Sequence, residues 1–205
     1  MRRAQEGNHL RNYDDTSYAY AVGRIQAIEN RMLDQNKLDL LIGSRSAEEA
    51  LRMLQDAGYA EGEDVSGYEV LLSRELARAY AILKELAPDR EVIDVFLLKN
   101  DYHNLKVLIK QEFSNNQALD YDNLLVENGT IGVDEIALFY VNREFDRLSP
   151  FMKEACEACI EMMQTTADPQ MIDIILDKAM YREMLAIADR FGNAFVKSSL
   201  SYKLI

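Results

Sequence analysis

The chain has 205 residues, 48% of them hydrophobic, and carries 35 Asp and Glu against 23 Lys and Arg, a net charge of −12. That length is enough for one large domain or two small ones. The acidic balance excludes general nucleic-acid binding, which needs clustered cations to neutralise phosphates, and excludes docking on anionic lipid by charge alone.

Nine Gly, three Pro and no Trp, beside abundant Leu, Ala, Glu and Met, favour helix and leave few turn signals for a β architecture. Residues 1–15 are polar and read as a frayed terminus. Thr16 or Ser17 is placed to cap a first helix running to about Asp34, with Tyr18, Ala21, Val22, Ile25, Ile28 and Met32 at helical spacing. A short helix, Lys37 to Ile42, ends at Gly43. Ser46-Ala47-Glu48-Glu49 is a capping box, with Ser46 as N-cap and Glu49 reaching back to its amide. Ala50, Leu51 and Leu54 then face inward, and Gly58 stands where a left-handed C-cap belongs. An acidic loop leads to a long amphipathic helix from Tyr68, bearing Leu71, Leu72, Leu76, Tyr80, Leu83 and Leu86, that Pro88 stops.

Val92 to Lys110 is the stretch around which the chain is organised. As one helix it is apolar on two sides: Ile93, Phe96, Leu97, Val107 and Leu108 on one, Val95, Leu98, Tyr102, Leu105 and Ile109 on the other. Such a helix must be covered twice and is therefore central. Asn100 and Asn104 sit within the first face; Lys99, His103, Lys106 and Lys110 form a basic stripe between the faces, and Asp94 and Asp101 lie between them opposite. Residues 114–122 are polar and irregular, the best internal boundary, and a second loop spans Glu127 to Val133. Asp134 is placed to cap a helix with Ile136, Leu138, Phe139 and Phe145. Ser149-Pro150 and Asp168-Pro169 each read as an N-cap followed by Pro at the first helical position. They open helices bearing Phe151, Ala155, Cys159 and Met162, and then Ile172, Ile175, Leu176 and Leu185; Gly192 interrupts the second, and a last helical pattern runs from Asn193 to Ile205. Ile93-Asp94-Val95-Phe96-Leu97-Leu98-Lys99 echoes Ile172-Asp173-Ile174-Ile175-Leu176-Asp177-Lys178, and Tyr102 then aligns with Tyr181 without a gap, a sign of a repeated helical unit.

Candidate chemistry is sparse. No run of about 18 apolar residues is long enough to span a membrane, the N-terminus lacks the apolar core of a secretory signal, and two Cys do not make a disulfide framework; a cytoplasmic setting without direct lipid insertion is expected. Cys156-Glu157-Ala158-Cys159 is a CxxC inside a helix, with no second pair and no nearby His, and reads as two small core residues rather than a redox or metal site. His103 has Lys99 and Lys106 as neighbours and reads as part of a polar stripe, not a general base. Asn100 and Asn104, buried on an apolar face, must find partners, so they fix helix register or hold a neighbouring loop. Asn128-Gly129-Thr130 matches a glycosylation sequon, but its Gly more simply marks a turn. The acidic group Glu61 to Asp64 lacks calcium-loop spacing. Nine Met read as core filling. No residue is assigned a catalytic, cofactor-binding or metal role.

The central stretch also resembles a known family. Phe96-Leu97-Leu98-Lys99-Asn100-Asp101-Tyr102-His103-Asn104-Leu105-Lys106 is similar to the Phe-x-x-Lys-x-Asp-x-His-Asn-Leu-Lys signature of the C subunit of bacterial and archaeal V-type (A-type) ATPases, whose eukaryotic counterpart is the d subunit. Tyr18 to Ile25 with Glu29, Ser46 to Leu54 with Tyr59, Tyr68-Glu69 with Leu72 and Glu75-Leu76, and Asp168 to Asp173 with Leu176-Asp177 and Gly192-Asn193 extend the likeness in order. The resemblance implies an all-α, funnel-like assembly of related helical units, here incomplete at the C-terminal end. It implies a first unit over 1–115 that includes the central helix and a second over 116–205, cut short, in one continuous helical body. It further implies a non-catalytic central-stalk adaptor on the cytoplasmic face of the membrane. Such an adaptor links the shaft, made of the D and F subunits, to the membrane proteolipid ring and transmits torque for proton or sodium transport, with no cofactor. The alternative from residues alone is a free-standing cytoplasmic helical scaffold or regulatory protein with an unrelated partner.

Overall fold

The computed structural model describes residues 18–59, 67–87, 90–114, 124–166, 168–191 and 197–198. Among these the fold is all-α, with no strand: α1 (Ala19–Glu29), α2 (Gln35–Ile42), α3 (Ala47–Asp56), α4 (Tyr68–Leu86), α5 (Arg90–Phe113), α6 (Val133–Val141), a 3-10 turn (Phe145–Arg147), α7 (Pro150–Thr166) and α8 (Pro169–Phe191). By contact the chain divides into two compact units, Asn12–Pro88 and Asp89–Ile205. This division differs from the repeat boundary expected near residue 115. It follows contact: α5 packs most extensively on α8 and also on α6 and α7, so it groups with the helices after it.

Within Asn12–Pro88 the caps explain the helix limits. α1 ends at Glu29, short of the expected Asp34, because Asp34 serves the next helix: its carboxylate accepts from Lys37 N at 2.9 Å and starts α2. The cap expected at Thr16 or Ser17 lies outside the described residues. α2 ends at Gly43, as its sequence requires. Ser46 Oγ accepts from Glu49 N at 3.2 Å, but the Glu49 carboxylate accepts from Arg45 N at 2.8 Å, one residue before the expected amide. At the other end of α3, Gly58 takes φ 88°, with Tyr59 N bonded to Leu54 O and Gly58 N to Gln55 O, the paired bonds of a Schellman stop. The α1 stripe is less buried than its spacing implies. Only Ala21 of it is buried, while Ile25, Ile28 and Met32 remain exposed; α4 buries Leu71 and Leu86 but exposes Leu72 and Leu76. The acidic loop and Pro88 fall outside the described residues.

Asp89–Ile205 holds a continuous core. Val95, Leu98, Tyr102, Leu105 and Ile109 of α5 meet Ile136, Phe139 and Tyr140 of α6, Met152, Cys156 and Cys159 of α7, and Ile172, Leu176 and Met184 of α8. Leu97, Val107 and Leu108, from the other apolar side of α5, are buried as well, whereas Ile93 of that side is half-buried and Phe96 is exposed, so this side is covered only in part. Ser149 caps α7 through Met152 N at 3.1 Å, and Asp168 caps α8 through Gln170 N at 3.0 Å, each with Pro at the first helical position. α6 begins from Gly132, not from Asp134, which instead places its charge in the positive first turn. Arg143 closes α6 at φ 59°, again with paired Schellman bonds from Arg143 N to Tyr140 O and Glu144 N to Phe139 O. The Arg143 guanidinium and the Tyr140 hydroxyl both bond the Glu112 carboxylate on α5. The last helical pattern, from residue 193, lies outside the described residues apart from 197–198.

Candidate functional site

The polar strip of α5 from Asn100 to Lys110 is where side-chain chemistry is concentrated, and its bonds go to other parts of its own unit. Four side chains of its first turn and a half grip the loop between Leu124 and Gly132. Asn100 Nδ2 donates to the carbonyls of Asn128 at 3.0 Å and Glu127 at 3.4 Å. Asp101 is fully buried; its Oδ2 accepts from Thr130 N at 2.9 Å and Thr130 Oγ1 at 2.6 Å, and its Oδ1 from Ile131 N at 3.1 Å. Asn104, also fully buried, pairs with both sides of Val126: Nδ2 donates to its carbonyl at 2.9 Å and Oδ1 accepts from its N–H at 2.8 Å. His103 Nε2 lies 2.9 Å from Leu124 O. A carbonyl only accepts, so this contact selects the tautomer with the proton on Nε2.

The loop is shaped to receive these groups. Asn128 sits at φ 65°, a left-handed conformation that Asn tolerates. Gly129 lies so close to Asp101 that a Cβ there would stand 2.1 Å from Oδ1. The turn expected at Asn128-Gly129 is thus present, and the close approach of Asp101 explains its Gly. Burial pushes the Asp101 acid above its ordinary range, and the three donors from Thr130 and Ile131 pull it back only in part.

Farther along, the strip turns to α8. Lys106 Nζ pairs with Asp177 at 2.6 Å and Lys110 Nζ with Asp173 at 2.8 Å, a two-rung ladder between the helices. These pairs are partly exposed, so they orient the helices more than they stabilise them. Tyr102 Oη donates to Glu183 of α8 at 2.7 Å, and Ser149 Oγ donates to the same oxygen at 2.9 Å. Glu183 has no role in the reading of the sequence, although a signal for one exists. It occupies an apolar stripe position of α8, seven residues after Leu176, as Asn104 does on α5.

The other candidates resolve as packing. Cys156 and Cys159 are buried free thiols on consecutive turns of α7, and burial pushes both up to about 12, far from thiolate chemistry at neutral pH. His103 holds a backbone carbonyl in place of the stacked polar stripe expected of it. The Glu61 to Asp64 group lies outside the described residues. Among the described residues no group of three or more His, Cys, Asp or Glu is placed to hold a metal ion, and no helix is long and apolar enough to cross a membrane. Within Asn12–Pro88 a groove of about 1130 Å³ is floored by Ile25, Ile28, Met53, Ile82 and Leu83, with Glu29, Arg31, Lys37, Asp56, Glu75 and Arg78 among its lining. Its lining carries both signs of charge.

The sequence model of the ATP synthase (C/AC39) subunit family matches residues 21–203. The chain is similar to the C subunit of the A-type ATP synthase of Methanocaldococcus jannaschii, 33% identical over 133 residues that cover 60% of this chain and 33% of that protein. It is also similar to the C subunit of the V-type sodium ATPase of Enterococcus hirae, 26% identical over 176 residues covering 82% of this chain and 51% of that protein. A third relative, the C subunit of the A-type ATP synthase of Desulfurococcus, is 32% identical over 124 residues, covering 57% of this chain and 33% of that protein. The chain spans between a third and about half of the length of these relatives. No solved structure matches it.

Proposed function

Because the chain belongs to the ATP synthase (C/AC39) subunit family, we propose that it acts as a non-catalytic adaptor in the central stalk of a V-type or A-type rotary ATPase. In this reading it sits on the cytoplasmic face of the membrane, receives the shaft made of the D and F subunits, rests on the proteolipid ring and transmits torque between them. The observation that carries the proposal is the family match over residues 21–203, nearly the whole chain. The relatives are named as the C subunits of A-type ATP synthases and of a V-type sodium ATPase, which supports a place in such a complex.

The use of the signature residues supports a mechanical role. Asp101, His103, Asn104 and Lys106 are each spent on bonds within their own unit, to the 124–131 loop or to α8. A piece that carries torque must resist shear, and close-packed helices cross-linked by buried polar bonds supply that stiffness. The echo between Ile93–Lys99 and Ile172–Lys178 falls on the two longest helices, α5 and α8, and supports the further reading that residues 1–115 and 116–205 are related helical units.

The test is a pull-down of the chain with purified D–F shaft and, separately, with the detergent-solubilised proteolipid ring, alongside a helical far-ultraviolet dichroism spectrum. Retention of either partner is the expected result. A folded chain that retains neither overturns the proposal in favour of a free-standing scaffold.

A further inference from the structure

Glu183 is buried on α8 where it meets α5 and the start of α7. Both hydroxyls that reach it donate to one oxygen, Oε2: Tyr102 Oη from α5 and Ser149 Oγ from the α7 cap. Ser149 also accepts from Met152 N at 3.1 Å, so a relay runs from the α7 backbone through a hydroxyl into the carboxylate. The titratable and charged groups around this junction are Asp101 and Tyr102 on α5, Cys156 on α7 beside Tyr102, and Arg190 on α8 itself. Arg190 acts on Glu183 through space without an ion pair, and Lys106 and Arg182 are paired with Asp177 and Glu154. Among the described residues no cation forms an ion pair with Glu183. A carboxylate buried against hydroxyls and a second acid, with no cation in contact, is a group whose neutral form is favoured.

We propose that Glu183 is a proton-uptake site that makes the cohesion of α5, α7 and α8 depend on pH. The site takes one proton from solvent, converting the carboxylate to the neutral acid. Oε2 keeps accepting from Tyr102 and Ser149 in either form, so the helices stay in place while the buried charge disappears. Burial, reinforced by the charge of Asp101, holds the Glu183 acid above its ordinary value, although both hydroxyls and Arg190 pull the other way. A group raised in the folded state contributes stability that is fully present below its unfolded-state value and is lost as pH rises through its folded-state value. Glu112 behaves in the opposite sense. Burial works against its charge, yet Arg143 and Tyr140 hold it below the ordinary value, so its contribution is lost on acidification.

Thermal unfolding of the full chain and of Glu183→Gln between about pH 4 and pH 8, with a carboxyl 13C titration of Glu183, tests the proposal. Glu183→Gln is expected to melt above the parent at the alkaline end, with the gap closing on acidification. The Glu183 resonance is expected to titrate above the ordinary glutamate value of about 4.3. Tyr102→Phe, which removes one donor and keeps the ring, is expected to move that midpoint higher still. A gap that does not change with pH, or a midpoint at or below the ordinary value, overturns the proposal. If Glu183→Gln does not fold, the midpoints in the parent and in Tyr102→Phe decide it alone.

Discussion

Gly129→Ala is the most searching single substitution the structure offers. A Cβ at this position would stand 2.1 Å from Asp101 Oδ1 and 3.0 Å from both Asp101 Cγ and Ile131 O. The first distance is far inside van der Waals contact, and Asp101 is fully buried, so its carboxylate has no open space to move into. Retreat breaks the bond from Ile131 N to Oδ1 and strains the two from Thr130 to Oδ2. A hydrogen bond to a charged group contributes about 1.5–3 kcal/mol. With one bond lost and two weakened, the expected cost is about 2–4 kcal/mol, a fall in melting temperature of roughly 4–16 °C for a chain of this size. The assay is denaturant and thermal unfolding of a double-mutant cycle with Asp101→Ala. Removing the carboxylate removes the group the new methyl meets, so Gly129→Ala should cost much less in that background, with a coupling of at least about 1 kcal/mol. Simple additivity, or a neutral Gly129→Ala, would show that the Asp101–loop clasp does not set this turn.

Two further outcomes follow from the same geometry. Asn104→Leu keeps the volume but strips both bonds from Val126; it should cost about 2–3 kcal/mol and speed amide exchange at Val126 well above that of its neighbours, which exchange measurements by NMR will show. Cys156 and Cys159, held up to about 12 by burial, should resist a thiol reagent at about pH 8 until the protein unfolds; labelling of either within the mixing time of the native protein contradicts the core placement.

What the sequence makes legible is local. Ser46, Ser149-Pro150 and Asp168-Pro169 are recognisable as helix starts because a cap bonds an amide two or three residues away, within reach of a written pattern. The same locality produces errors of one or a few residues: Asp34 reads as part of α1 when it caps α2, Glu49 bonds Arg45 N instead of Ser46 N, and Gly132 rather than Asp134 precedes α6. For the α5 strip the need is visible but the partner is not. Asn100 and Asn104 on an apolar face have to bond something, yet the loop that satisfies them lies 22 to 28 residues onward, and only packing of α6 against α5 brings it there. Asp101 falls between the apolar faces, where a charge is expected to meet water; the loop covers it instead. Glu183 escapes a sequence reading because a Glu in a helix usually faces solvent, and its hydroxyl partners come from the cap of α7 and from α5, 34 and 81 residues away in sequence.

The distribution of burial bears on how an adaptor of this kind would carry load. In Asn12–Pro88 the buried apolar residues among those described are Ala21, Leu71 and Leu86, while Ile25, Ile28, Leu72 and Leu76 stay exposed. In Asp89–Ile205 the core runs unbroken from Val95 of α5 to Ala188 of α8, and the signature residues pin its one long described loop to its central helix. Resistance to shear comes from interlocked side chains and from buried polar bonds that have no alternative partner, and both are concentrated in Asp89–Ile205. The signature strip therefore belongs to the stiff part of the chain. Substituting Asp101 or Asn104 frees a loop and loosens α5, and under the adaptor reading proposed above the consequence is slack in transmission.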